Sequence, residues 1–376
     1  MKNFSLHSIL IVLLFLVAIS GNSQSKVKNK NAESLAPKLN DAKISTLNSV
    51  EERDEENRGL YYENQYVKER SKRIDINTKQ LGEKDQRELD KIVKTLEVEA
   101  PNSAGYYYVS YLNANPNSVN IENLDRAFEL TSDKTSLYDD YIGYYELTQN
   151  ADKKKEFCEK LYKSNVIPSG VMEYNYNVLM SVEKGGILFV NGADDTYPIW
   201  VYQNTLNVRK DVTILNTDLL GVDAYRAKKL RDIGVGINLD YNADRLKFII
   251  SVAKENPDKP IYFALTFSKS VLNGLKDNLY LTGLALKYSP NKMDNLPILK
   301  KNWEEKFKTK TLEKSQENGT VKNLNRNYIL PMFQLSELYK MEGDESESKK
   351  LKKTILKLAK EGGKESKVIK YMQERE

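Results

Sequence analysis

The chain has 376 residues, of which 40% are hydrophobic and 30% charged, and its formal net charge is +5. These proportions exclude a disordered chain and predict a folded protein of about two or three domains. Because both signs of charge alternate along the sequence, the mild basic excess argues against a nucleic-acid partner.

The first 25 residues have the order of a signal peptide. Lys2 gives a basic start, an apolar run extends from Ile9 to Ile19, and small polar residues follow. The run is too short to span a bilayer comfortably. We therefore expect cleavage near Ser23 or Ser25 and export to the periplasm, the medium or the cell surface, with an uncleaved membrane anchor as the alternative. No later segment predicts a membrane span, and no cysteine follows the run to carry a lipid anchor.

Histidine and cysteine are nearly missing from the sequence. The only histidine, His7, lies in the predicted signal peptide, so the mature chain is expected to contain no histidine triad and no imidazole metal site. The only cysteine, Cys158, cannot form an intrachain disulfide. It lies with Phe157 and Leu161 on one face of a predicted helix, which favours a core position over a reactive thiol.

Residues 26–82 are polar and carry charges of both signs. This composition predicts a flexible charged leader that contains one solvated helix. Leu60, Tyr61 and Tyr62 are the residues of this helix that we expect to dock on the rest of the protein.

Residues 83–184 show helical patterns separated by short polar breaks. Predicted helix starts near Ile121 and Ala151 are spaced close to a tetratricopeptide repeat of ~34 residues, so we predict tetratricopeptide-like helical hairpins. Arrays of this kind bind protein or peptide partners on a concave face. The tyrosines of this region either stack on a carbohydrate or peptide or, more simply, pack between helices. They are Tyr106, Tyr107, Tyr108 and Tyr111.

Residues 185–290 alternate between apolar strands and amphipathic helices. The strand-like segments are apolar on both faces, which predicts a small, mostly parallel α/β sheet domain. They are ILFVN, DVTILNTDLL, KPIYFALTF and YLTGLALKYSP.

Residues 291–376 return to a helical pattern. We predict a charged helix over 303–318 and a C-terminal helical hairpin that resembles a repeat. The facing residues of this hairpin are Leu335, Leu338 and Tyr339 on one helix and Leu351, Ile355 and Leu358 on the other. The predicted fold class is therefore mixed α and α/β.

One stretch carries a family resemblance. Within residues 176–218, the segments GGILFVNGADDTYPIWVYQ and VRKDVTILNTD give a strand, Asn-Gly, an acidic pair with Thr-Tyr-Pro, an aromatic helix, Val-Arg-x-Asp-Val and a second strand. This order resembles the soluble C-terminal region of bacterial multi-spanning glycosyltransferase-like proteins related to protein O-mannosyltransferases. PDKPIYFALTF and NLYLTGLALKYSP extend the resemblance to about 170–295.

The resemblance implies an accessory domain flanked by helical repeats, in a protein exported by a Bacteroidota-type bacterium. The transferase chemistry of those relatives would belong to their membrane-embedded part. This sequence predicts no such part, so we do not extend glycosyltransfer to it.

The acidic loop after the first predicted strand is the candidate site. Loops that leave the carboxyl ends of parallel strands form the ligand crevice of α/β folds. The residues expected to converge there are Asn191, Asp194, Asp195, Thr196, Tyr197, Trp200, Asn216 and Asp218. We assign no catalytic residue, no metal ligand and no cofactor, although such oxygens are the ligand types that Ca²⁺ and Mg²⁺ prefer.

The same residues also have a purely structural interpretation. Asp195 or Thr196 would cap the following helix, Pro198 would lie in its first turn, and Asn191 with Gly192 would form the turn before it. Arg209 and Asp211 would form a surface ion pair of little energetic value.

Two functions follow from the sequence. The first is a non-catalytic envelope protein, in which helical repeats and the α/β domain bind a protein, peptide or glycan partner. The second is an enzyme that acts on glycans or glycoproteins, with Asp194 or Asp195 as acid, base or metal ligand, although adjacent carboxylates seldom flank one glycosidic bond.

Overall fold

The computed structural model describes residues 50–74, 81–115, 117, 120–237 and 239–374. These residues form two compact units. The helical unit comprises the described residues up to Ser164 together with Gly221–Lys228, and the mixed unit comprises Asn165–Leu220 and the described residues from Lys229 onward. The predicted signal peptide and much of the predicted leader lie outside the described residues.

The helical unit consists of helical hairpins, as predicted. Side chains cap several of its helices: Ser103 accepts a hydrogen bond from the backbone of Tyr106, and Asn150 accepts one from Lys153. Its helices are α1 (Val50–Arg73), α2 (Glu83–Glu99), α3 (Ala104–Asn113), α4 (Ile121–Leu130), α5 (Tyr138–Leu147) and α6 (Ala151–Lys163).

The helix expected to be solvated, α1, has a buried face. Tyr66 is fully buried in a core cluster with α2 and α3, whereas Tyr61, an expected docking residue, is 65% exposed. The close approach depends on two glycines, since a Cβ on Gly59 would lie 2.3 Å from Ser103 Oγ and one on Gly105 would lie 2.4 Å from Gly59 O. The sequence pattern did not predict this contact, because glycine and serine make it instead of large apolar residues.

The mixed unit contains a five-stranded sheet in the order β2-β1-β3-β5-β4. β1 pairs in parallel with β2 and with β3, and β5 pairs in antiparallel fashion with β3 and β4, so four strands share one direction. The residues of α9 are divided between the two units at Lys229. The elements are α7 (Ser169–Met180), β1 (Ile187–Val190), α8 (Ala193–Asn204), β2 (Thr213–Asn216), α9 (Asp223–Asp232), α10 (Arg245–Glu255), β3 (Ile261–Ala264), α11 (Lys269–Gly274), β4 (Leu279–Leu281) and β5 (Ala285–Tyr288).

The predicted fold class, mixed α and α/β, is confirmed, but the sheet ends in a feature that was not predicted. The segment YLTGLALKYSP is not one strand: it folds back as the hairpin of β4 and β5. Gly283 allows this turn, because its φ is +152° and a Cβ there would lie 2.2 Å from Ser181 Oγ. The antiparallel edge follows from that turn.

The C-terminal helices pack within the mixed unit. The predicted hairpin is formed by α15 and α16, with Leu335, Tyr339, Leu351 and Ile355 buried. The helices are α12 (Leu296–Glu305), α13 (Lys310–Glu313), α14 (Gly319–Asn325), α15 (Ile329–Met341), α16 (Glu345–Glu361) and α17 (Glu365–Gln373).

The helix predicted over 303–318 is wrong, because α12 starts earlier and ends at Glu305. Asn177 bonds both backbone groups of Lys308: the Lys308 N–H donates to Asn177 Oδ1 at 2.8 Å, and Asn177 Nδ2 donates to Lys308 O at 2.6 Å. These tertiary bonds replace the helical ones. Within the described residues, no helix is long and apolar enough to cross a membrane.

Candidate functional site

The strand order has a switch point, at which consecutive connections leave β1 in opposite directions across the sheet. From β1 the chain passes through α8 to β2 on one side, whereas β3 pairs on the other side of β1 and leads away toward β4 and β5. The loops after β1 and β3 therefore diverge at the carboxyl edge. In open α/β sheets this switch point is the place where ligands bind.

The start of α8 differs from the predicted cap. Gly192 is the N-cap, with φ 90° and ψ 177°, and no side chain caps the helix. Asp195 and Thr196 are thus the third and fourth residues of α8, and the prediction that one of them caps it is wrong. Pro198 lies one turn further in than predicted, where it cannot donate to Asp194 O. Asn175 Nδ2 donates to that oxygen instead, at 2.7 Å.

Asp195 connects the two diverging loops. Its Oδ2 accepts a hydrogen bond from Thr266 Oγ1, in the loop after β3, at 2.6 Å. The residue is 2% exposed, and its Oδ1 has no hydrogen-bond partner. The pKa of Asp195 is raised to about 7, with burial as the largest cause and the nearby Asp194 charge acting in the same direction. Hydrogen bonds from Thr266 and from the backbone of Asn191 act in the opposite direction.

Thr196 and Asn216, two of the residues expected at this edge, form a hydrogen bond with each other. Asn216 Nδ2 donates to Thr196 Oγ1 at 2.8 Å, and Thr196 Oγ1 donates to Gly192 O at 2.6 Å. Asn216 Oδ1 accepts from the backbone N–H of Asp218 at 2.8 Å. This network ties the end of β2 to the first turn of α8 and holds the loop in one conformation.

The remaining predicted site residues surround this network with different roles. Asn191 Oδ1 accepts from Thr217 Oγ1 at 3.4 Å, and Asp218 pairs with Arg245 at 3.0 Å. Trp200 is 2% exposed and packs edge-on against Tyr197, with ring centroids 5.8 Å apart. Trp200 is therefore a core residue and cannot stack on a ligand at the surface. Within the described part of the chain, no group of three or more acidic, cysteine or histidine residues is arranged to hold a metal ion.

Sequence reasoning missed the polar residues that α7 and the loop after β3 bring to this edge. The Tyr174 hydroxyl is buried without a hydrogen-bond partner, and burial and the Asp195 charge raise its pKa. Asn175 Oδ1 is also buried without a partner. Thr266 had one available signal, its position directly after a strand parallel to β1.

Arg209 forms the expected ion pair with Asp211, but its structural role is larger than expected. Its Nη1 donates to Leu179 O at 2.8 Å and to Val182 O at 2.7 Å, and it also forms a two-bond ion pair with Asp211. Asp211 in turn accepts from the backbone of Gly185 at 3.0 Å. The Val-Arg-x-Asp-Val motif thus closes the C-terminal end of α7 and positions the start of β1.

A known family model matches the part of the chain that contains the acidic loop. Residues 171–249 match the family model described as TMEM260-associated domain 2. The match begins in α7, contains β1, the acidic loop and β2, and ends in α10, which is about a fifth of the chain. It agrees with the resemblance to proteins related to O-mannosyltransferases. No curated protein and no solved structure matches the chain significantly.

Proposed function

We propose that this chain is an exported, non-catalytic envelope protein of a Bacteroidota-type bacterium. Its α/β unit binds a hydroxyl-bearing partner, such as a glycan, in the crevice between the loops after β1 and β3, and its helical hairpins bind a protein or peptide. The observation that supports the crevice is the Asp195 carboxyl, which is buried at the switch point with one oxygen bound to Thr266 and the other unpartnered.

The geometry suits binding for two reasons. A buried acceptor without a partner is costly, and a ligand hydroxyl that donates to Asp195 Oδ1 would remove that cost. The backbone at Gly192 is also accessible, because no atom lies within 4 Å of the position that a Cβ would occupy. Thr196 and Asn216 hold the loop on the β2 side. Because Asp195 is 2% exposed, a ligand reaches its Oδ1 only if the neighbouring atoms move.

The helical unit offers a separate surface for the second partner. A groove of about 300 Å³ between α1 and α2 is lined by Ile92 and by the ion pairs of Glu69 with Arg73 and of Glu88 with Lys91. Its other lining residues are Tyr62, Gln65 and Thr95. Charges of both signs beside Tyr62 and Ile92 suit a peptide of mixed charge.

Thermal unfolding with a glycan panel tests the crevice. A ligand specific for the folded state raises the unfolding temperature by mass action. We expect a glycan that stabilises the wild type to lose its effect on Asp195→Asn, with each variant compared with its own ligand-free midpoint. Asp194→Asn serves as the matched control. Equal stabilisation of Asp195→Asn would remove the crevice from the proposal, and cell fractionation tests export independently.

An enzyme that acts on glycans is the second candidate, favoured by one observation. A pKa of about 7 for Asp195 suits a general acid at neutral pH. Asp194 would then be the partner carboxylate. Hydrolysis or transfer that persists in the Asp194→Asn plus Asp195→Asn double variant would exclude both residues from the chemistry.

A further inference from the structure

The last two helices of the mixed unit carry the protein's excess positive charge. Residues 349–370 contain nine lysines and two glutamates, a net charge of +7, whereas the whole chain carries +5. The rest of the chain is therefore slightly acidic. The excess is densest in α16, where residues 348–360 contain six lysines and no acidic residue. One segment is thus strongly basic in a protein whose net charge is small.

Four of these lysines share one exposed face of α16. Lys349, Lys353 and Lys360 are spaced by four and seven residues, which places them in one row along an α-helix. Lys350 lies beside this row, three residues before Lys353. All four are exposed. At a rise of about 1.5 Å per residue the row is about 16 Å long. Together these four residues form the lysine face of α16.

The other lysines of α16 brace the fold. The apolar side of the helix packs against α15. Lys352 pairs with Glu337 of α15 at 3.3 Å, and Lys357 Nζ donates to Leu312 O of α13 at 2.8 Å. These two side chains are therefore engaged within the mixed unit, and only the lysine face is left toward solvent.

Half of the lysine face has no acidic partner. Within the described residues Lys353 and Lys360 form no ion pair, whereas the other two members pair with glutamates in the first turn of α16. Glu361 does not compensate for them: both of its carboxylate oxygens are buried, and it approaches Lys357 at 3.9 Å. The middle and the C-terminal end of the face therefore present uncompensated positive charge.

Helix stability alone does not account for these lysines. A cation is favourable in the last turn of a helix, which explains Lys360. Lys353, however, lies in the middle of α16 and four residues after Lys349, where like charges repel. Lys364 and Lys367 then occupy the N-cap and the first turn of α17, where the helix dipole disfavours cations. The basic charge is thus maintained where it costs the helices stability.

We propose that the lysine face of α16 binds the surface of a membrane that contains anionic lipids. Clusters of about four to eight basic residues on one helix are typical of segments that bind anionic headgroups. Because the apolar side of α16 is buried against α15, the helix lies on the headgroups and does not enter the hydrocarbon. The inference is independent of the Asp195 crevice and of the groove between α1 and α2.

The composition of the face favours lipid over other anionic partners. It contains no arginine and no aromatic residue, which are the residue types that dominate protein interfaces and that stack on nucleic-acid bases. Lysine is depleted from the centre of protein interfaces. Headgroup charge is diffuse and requires no fixed geometry, which suits the flexible point charge of lysine.

Co-sedimentation of the purified protein with lipid vesicles tests this surface. One set of vesicles contains phosphatidylcholine alone, and the other contains about 30% phosphatidylglycerol as well. We expect tighter binding to the anionic vesicles, and we expect the difference to disappear at about 1 M NaCl, because salt screens exposed charges. The neutral vesicles control for binding through the apolar run from Ile9 to Ile19, which needs no lipid charge.

Two double variants with the same change in net charge locate the interaction. Lys353→Gln plus Lys360→Gln removes the unpaired half of the lysine face. It should weaken binding to the anionic vesicles about thirtyfold, since each lysine near the surface contributes about fivefold. Lys84→Gln plus Lys94→Gln removes two exposed lysines of α2 and should weaken binding less than about twofold. Circular dichroism checks that both variants are folded.

Three results would overturn the proposal. The first is an equal effect of the two double variants, and the second is equal binding of the wild type to neutral and anionic vesicles. The third is tighter binding to a DNA duplex or to polyglutamate than to the anionic vesicles at the same salt concentration, because it would identify a nucleic acid or an acidic protein as the partner.

Discussion

Replacing Asp195 by Asn should change how stability depends on pH. The folded pKa of about 7 lies above the usual value of 3.8, so the folded state holds this proton more tightly than the unfolded chain. The tighter binding of this proton raises the free energy of unfolding. That contribution is complete below about pH 4 and is lost as the pH rises through 7. The difference between the two pKa values corresponds to about 4 kcal/mol. At alkaline pH, where the carboxylate is charged, the free energy of unfolding is lower by this amount. The asparagine variant never carries that charge.

Urea unfolding from about pH 4 to about pH 8.5 measures this difference. The free energy of unfolding of Asp195→Asn minus that of the wild type should rise by a few kcal/mol across the range. The subtraction removes the contribution of every other titrating group, and Asp194→Asn controls for the loss of a charge at the next position. Parallel curves for the wild type and Asp195→Asn would refute the argument, because they would mean that Asp195 titrates normally.

Three further changes test the framework. Arg209→Ala removes several bonds at the end of α7 and should lower the free energy of unfolding by about 2–4 kcal/mol in urea titrations. Arg209→Lys should restore little of it, since lysine lacks the guanidinium fork. An unchanged free energy of unfolding in Arg209→Ala would contradict the role of Arg209 at the end of α7. Gly192→Ala should cost about 1–3 kcal/mol through its positive φ alone, measured in the same way, although the methyl group meets no neighbour. Cys158, buried with a pKa raised to about 12, should react with iodoacetamide only after denaturation, which mass spectrometry detects.

Features of the fold that depend on short residue patterns could be predicted from the sequence. The apolar runs located β1, β2 and β3, and the Asn-Gly and Asn216 positions identified the carboxyl edge, because side chains after parallel strands meet there. The failures have tertiary causes. The helix expected over 303–318 yields to bonds from Asn177, which lies 131 residues away from Lys308 in the chain. Thr266 was missed because its partner, Asp195, is identified only once β3 is known to pair with β1.

The motif that carries the family resemblance has mainly structural roles in this chain. Arg209 closes α7, Thr196 and Asn216 brace the loop, and Asp195 Oδ2 fastens it to Thr266. These bonds account for the motif residues without a ligand, so the motif alone does not determine what the α/β unit binds. Ligand choice would depend on atoms outside these bonds, such as Asp195 Oδ1 and the hydroxyl of Tyr174. Tyr174→Phe tests this separation, because it removes one of these atoms and breaks none of the framework bonds.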